Sequence, residues 1–177
     1  MAEFQVSTYR YKKFLLPFIT AAIAMLAGSL IFILPPPVAT QFHETTAGKY
    51  LSISVAADIT IELDANSAVT VTNSEPPKVE LLQGNAYFEI QRKDVDTTKL
   101  EVILGDVLIR NQGTRFSLKK LKNGGRVAIS KGQIEIYFGN QARLVNAGQQ
   151  VDFDNAHITE ESSIVGLDIA TWRRNKN

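Results

Sequence analysis

The sequence predicts an all-β domain, a short β-solenoid or β-sandwich of about ten strands, carried behind one N-terminal transmembrane helix. Three observations predict it. One long apolar run near the N-terminus carries no charge, the runs after it alternate apolar and polar residues, and Gly- and Asn-rich turn signals separate them.

Composition bounds the rest. A chain of 177 residues has room for one domain of ordinary size and something small. The formal net charge is +1 with acids and bases interspersed, so no basic stripe tracks a nucleic-acid backbone and no nucleic-acid partner is expected. Cysteine is absent, which removes disulfides, thiolate nucleophiles and Cys-based zinc sites.

The first element is Phe14 to Leu34, "FLLPFITAAIAMLAGSLIFIL", 21 residues without a charge. As a helix it is about 31 Å long, close to the ~30 Å hydrocarbon core of a bilayer. Twelve of its residues are Leu, Ile or Phe, which favour insertion despite Pro17, Gly28 and Ser29. Pro17 lies in the first turn, where its missing N–H costs little. A cleaved signal peptide is the competing reading; the run is longer than such a core, and Val38-Ala39-Thr40 only loosely resembles a cleavage site.

Arg10, Lys12 and Lys13 precede the run, and no base follows Leu34 until Lys49. The positive-inside rule therefore places residues 1–13 in the cytoplasm as a short tail, 14–34 in the bacterial inner membrane and the remainder in the periplasm. Pro35-Pro36-Pro37 begins a linker over 35–47, and the β domain is expected over 48–177.

The strands follow in order. "LSISV", "ITIEL", "VTVT", "AYFEIQ", "LEVIL", "VLIRN", "RFSLK", "RVAIS", "IEIYF" and "VDFD" each alternate with period two, as half-buried strands do. "DANS", "NSEPP", "QGN", "NQG", "NGG", "SKG" and "NAG" separate them. "KNGGR" and "FGNQ" suit tight hairpins, because Gly and Asn accept the positive φ of primed turns. Only "SIVGLDIATWRR" hints at helical periodicity. Gly84, Gly113, Gly132 and Gly148 each sit between two strands, at spacings too uneven for a strict repeat.

No motif assembles an enzyme: there is no Gly-x-Ser-x-Gly elbow, P-loop, His-Glu-x-x-His or dinucleotide fingerprint. Catalytic residues, cofactors and metal ligands are therefore not expected. Asp58, Asp64, Glu89 and Glu101 fall on positions expected to be solvated, as do His43 in the linker and His157 in a loop. Trp172 is expected to plug the core or an edge. Tyr87, opposite in parity to Phe88, is expected to be exposed.

"VELLQGNAYFEI", "VLIRNQGTRFSL", "VAISKGQIEIYF" and "ARLVNAGQQVDF", followed by Trp172, resemble the FecR family over roughly residues 46 to 172. The resemblance implies a single-pass inner-membrane protein that regulates an extracytoplasmic-function sigma factor through periplasmic protein contacts. It also implies an all-β juxtamembrane domain. Family members usually carry a longer cytoplasmic sigma-binding domain and often a further module past the tryptophan, whereas here 13 residues precede the apolar run and five follow Trp172. The family's Asp-Gly turn reads Ala57-Asp58. The middle of such a device is therefore expected, without its usual ends.

Within "VLIRNQGTRFSL" the reading is a structural corner rather than a ligand site. Gly113 is expected to supply a positive φ, Thr114 to bond the local backbone and Phe116 to point into the core, as Phe88 does. Two functions stand open. One is FecR-like signalling through a protein partner in the periplasm or inner membrane, a sigma-regulatory or transporter component. The other is a passive, membrane-tethered domain with a binding or envelope-assembly role.

Overall fold

Val, Ile, Phe and Thr at alternating positions favour extended backbone, and the described residues form fourteen strands. The computed structural model describes residues 38–91, 100–111, 113–164 and 169–175. From Val38 onward the chain forms one compact unit. The expected transmembrane segment 14–34 and tail 1–13 lie outside the described residues. Among the described residues no helix is long and apolar enough to cross a membrane.

Thr40–Glu44 (β1) stands first. Leu51–Ala56 (β2) and Ile59–Leu63 (β3) make a hairpin, as do Ala68–Thr72 (β4) and Lys78–Gln83 (β5). Asn85–Ile90 (β6) is a single strand. Leu100–Leu104 (β7) pairs Val107–Asn111 (β8), and Arg115–Leu121 (β9) pairs Gly124–Lys131 (β10). Gln133–Phe138 (β11) pairs Gln141–Asn146 (β12), and Gln149–Phe153 (β13) pairs Ile158–Ser163 (β14).

The strands form two seven-stranded sheets, β1-β4-β5-β7-β8-β11-β12 (sheet A) and β14-β13-β10-β9-β6-β3-β2 (sheet B). Successive hairpins are laid alternately into the two sheets. The path therefore coils as a solenoid does, while the layers are those of a sandwich, and both alternatives left open by the sequence describe part of the molecule. Only β5 and β7, among the described pairs, run parallel.

One core lies between the sheets. Ile61, Phe88, Phe116 and Ile129 of sheet B pack with Val69, Leu81, Val102, Ile109 and Ile136 of sheet A. Each such buried side chain stabilises the fold by about 1.5–3 kcal/mol. Phe88 and Phe116 are register partners across β6 and β9, and their rings stack at 4.7 Å with an interplanar angle of 8°.

Four expectations are corrected. Among the described residues fourteen strands replace about ten: β1, β12 and β14 are edge strands with exposed side chains and lack the alternation that reveals a half-buried strand, while β5, the fourth addition, does bury Val79 and Leu81 on one face. β1 lies inside the expected linker, pairing with β4 from Thr40↔Thr72 to Glu44↔Ala68. That register sets His43 opposite core-facing Val69, so the imidazole is half-buried rather than solvated, its Nε2 enclosed without a hydrogen bond. Of "SIVGLDIATWRR", Ser163 ends β14 (Ile158–Ser163) and 171–174 lie in a single 3-10 turn, Thr171–Asn175, while 165–168 lie outside the described residues.

Candidate interaction surfaces

The residues singled out from the sequence sort into corners and core. Gly84, Gly113, Gly132 and Gly148 lie between β5 and β6, β8 and β9, β10 and β11, and β12 and β13. Each of these junctions is a point where the chain changes sheet. All four glycines have positive φ, from 68° at Gly113 to 85° at Gly148. At Gly84 an added Cβ would stand 2.6 Å from the backbone of Asn66 and Ser67, so the corner lies directly on the preceding one. The corners are laddered by backbone bonds: Ala147 N–H donates to Gly132 and Ile164 N–H donates to Gly148.

Thr114 departs from expectation. Its side chain is fully buried and its Oγ1 has no hydrogen-bond partner, while its backbone carbonyl accepts from Ile90 N–H at 2.9 Å. The threonine packs its methyl beneath Gly132 rather than bonding the local backbone. Among the described residues no group of His, Cys, Asp or Glu is placed to hold a metal ion.

The outer face of sheet A carries a mixed row. The register aligns Phe42, Thr70, Glu80, Ile103, Leu108 and Tyr137 across β1, β4, β5, β7, β8 and β11. Phe42 at the end of that row is 60% exposed. The neighbouring row holds Lys78, Glu101, Arg110 and Glu135. Glu101 was expected to be solvated but is buried. Arg110 reaches it at 2.9 Å and Lys78 at 3.4 Å, so its charge is paired where water is excluded. The hydrogen bond that Arg110 donates to Glu101 raises the Arg110 pKa above its ordinary value. The same guanidinium lies 5.1 Å from the Tyr137 ring centroid.

The outer face of sheet B is polar by contrast, with Arg126 gripping Asp152 at 2.6 and 2.7 Å and Arg115 reaching Glu89 at 2.7 Å. Part of it is covered by the 3-10 turn. Arg173 donates from Nε and Nη2 to the two carboxylate oxygens of Glu62 on β3, at 2.7 and 3.0 Å. Its guanidinium lies 3.9 Å over the ring of Tyr87 on β6, and Trp172 stacks on Tyr50 at 6.0 Å with an angle of 4°. Tyr87, expected to be exposed, is thereby buried. It faces away from Phe88, as its parity predicts, but the outer face at this point has a cover. No local signal in "AYFEIQ" reveals that a residue so far along the chain lies on top of it.

A third feature is a groove of about 620 Å³ between the edge strands β12 and β14, lined by Phe138, Arg143, Leu144, His157, Ile158 and Glu161 among others. Leu144 on its rim is 54% exposed.

A family model described as FecR protein matches residues 41–135, more than half of the chain. No curated protein of related sequence matches. Two crystal structures of a candidate anti-sigma factor from Parabacteroides distasonis ATCC 8503 share the fold, with TM-scores of 0.60 and 0.59 at 16% identity. The alignments cover 71% and 70% of this chain, but only 60% and 59% of the solved chains. At that identity the likeness speaks for the fold alone.

Proposed function

The chain belongs to the FecR family, and from that premise we propose that it is a single-pass inner-membrane protein that takes part in sigma-factor regulation through periplasmic protein contacts. The observation that carries this reading is the family match over residues 41–135, which falls on the strands that build the sandwich. The apolar run 14–34 with its basic flank supports the membrane anchor and the orientation. Exposed Phe42 on the edge strand β1 supports contact with another protein. The corner glycines and the stacked Phe88–Phe116 pair act as scaffold in this reading, and no chemistry is assigned to them.

Two measurements test it. A reporter active only in the periplasm, fused after Asn177, is expected to be active, with the full-length chain in the inner-membrane fraction. Deleting the chain is expected to change transcription from promoters of an extracytoplasmic-function sigma factor. A cytoplasm-only signal would overturn the topology, and an unchanged transcript profile under every envelope stress applied would overturn the regulatory role.

A further inference from the structure

The cover on sheet B has a recognisable chemistry. Glu62 and Tyr87 are register partners on β3 and β6, so a carboxylate and an aromatic face stand side by side. A guanidinium satisfies both at once: its planar fork matches the two carboxylate oxygens, and its face lies on the ring. Tyr50 adds a second aromatic surface that takes an indole in offset stacking. The three together hold the chain's own Trp172 and Arg173.

The cover lies outside the core cluster. Ile61, Leu63, Ala86 and Phe88, the neighbours of Glu62 and Tyr87 along their strands, point inward and belong to the core cluster. Tyr50, Tyr87 and Trp172 do not belong to it. The covering element is one 3-10 turn whose Arg173 N–H donates to the Ala170 carbonyl at 3.0 Å, and Ala170, just before it, is buried.

We propose that Tyr50, Glu62 and Tyr87 form a docking site for a Trp-Arg segment of a partner protein, a site the chain fills with its own Trp172-Arg173. The inference rests on the reading that the domain works through protein contacts. It adds the place and the chemistry of one such contact. A partner segment and the chain's own turn compete for the same three side chains, so the site is available only in proportion to the time the turn is released.

The test uses the full chain in detergent and a fluorescent peptide, Ala-Thr-Trp-Arg-Arg-Asn, that copies residues 170–175. Binding is read by anisotropy. Trp172→Ala with Arg173→Ala vacates the site, and this chain is expected to bind the peptide at least tenfold more tightly than wild type. Adding Glu62→Gln, or replacing both peptide arginines by lysine, is expected to remove at least tenfold of that affinity. Arg173→Gln alone, which keeps Trp172 on Tyr50, is the second variant and is expected to show an intermediate gain. No binding to a vacated chain that still melts cooperatively would overturn the proposal, as would binding indifferent to Glu62. Failure of both variants to fold would also overturn it, because the turn would then be an inseparable part of the sandwich. No sigma-dependent readout enters, so a negative result here leaves the family role standing.

Discussion

The methyl carbon Cγ2 of Thr114 lies 2.8 Å from the point where a Cβ on Gly132 would stand, and the Gly113 carbonyl oxygen lies 3.0 Å from it. Two corners are thus in direct contact, one entering sheet B and one leaving it. Gly132 also has φ +80°, whereas Gly148, at φ +85°, has open space around it.

Alanine at these two glycines is therefore expected to cost different amounts. Both pay about 1–2 kcal/mol for a Cβ in the left-handed region. Gly132→Ala also overpacks the corner, which adds about 1–3 kcal/mol. Urea denaturation midpoints of the two variants check this, and equal midpoints would remove the argument for a built contact.

The Phe88–Phe116 pair is the centre of sheet B's inner face, and both rings are fully buried. Phe116→Ala is expected to destabilise by about 3–5 kcal/mol, through lost transfer energy and a residual cavity. Phe116→Leu should cost clearly less, because it refills most of that volume. A loss smaller than about 1 kcal/mol for the alanine variant would contradict the packing described.

Glu101 makes its two cations unequal. Arg110 approaches at 2.9 Å with a hydrogen bond, Lys78 at 3.4 Å, and both are nearly half exposed. Arg110→Met is expected to cost about 1 kcal/mol, after discounting for its exposure, because a buried carboxylate loses its better partner. Lys78→Met should cost under about 0.5 kcal/mol. Thermal melts of both variants, with and without 0.5 M salt, distinguish the two.

The β13–β14 turn should respond to acid. Asp154 Oδ1 accepts from the backbone N–H groups of Ala156 and His157 at 2.8 and 2.9 Å, and these bonds hold its carboxyl below the ordinary aspartate range. A depressed folded pKa contributes order above the unfolded value and loses it as pH falls through the folded one. Amide exchange at Ala156 and His157, corrected for its intrinsic rate, should therefore speed up relative to other turns as pH falls below about 4. Asp154→Ala should be fast throughout, and a wild-type turn indifferent to acid would refute the account.

Inward-facing alternation made most of the sandwich legible. Ile59, Ile61 and Leu63 in "ITIEL", and Ile134, Ile136 and Phe138 in "IEIYF", are buried as their period predicts. The positive φ of Gly113 was legible too, because a Gly between two alternating runs has few other uses. Three things were not. β14, "ITEESS", closes sheet B with exposed side chains, and a strand with no buried face carries no periodic mark. Glu101 sits on an outward position yet is enclosed by cations from β5 and β8, a tertiary arrangement that strand parity does not contain. The cover over Tyr87 comes from Arg173, and nothing local to either residue links them.

The alternation of hairpins between sheets has a consequence for how the molecule comes into being. A hairpin laid into one layer has nothing to bury its apolar face until the next is laid opposite it, so neither layer is stable on its own. Yet every paired strand finds its partner nearby in the chain, the widest-separated partners being Asn85 and Lys119. Long-range closure, the slow step in many β proteins, is therefore largely avoided. A nascent chain emerging from a ribosome or a translocation channel need only remember its last few strands. The sandwich lengthens from its N-terminal end as the polypeptide arrives, and each newly made edge is a template that the next strand immediately covers.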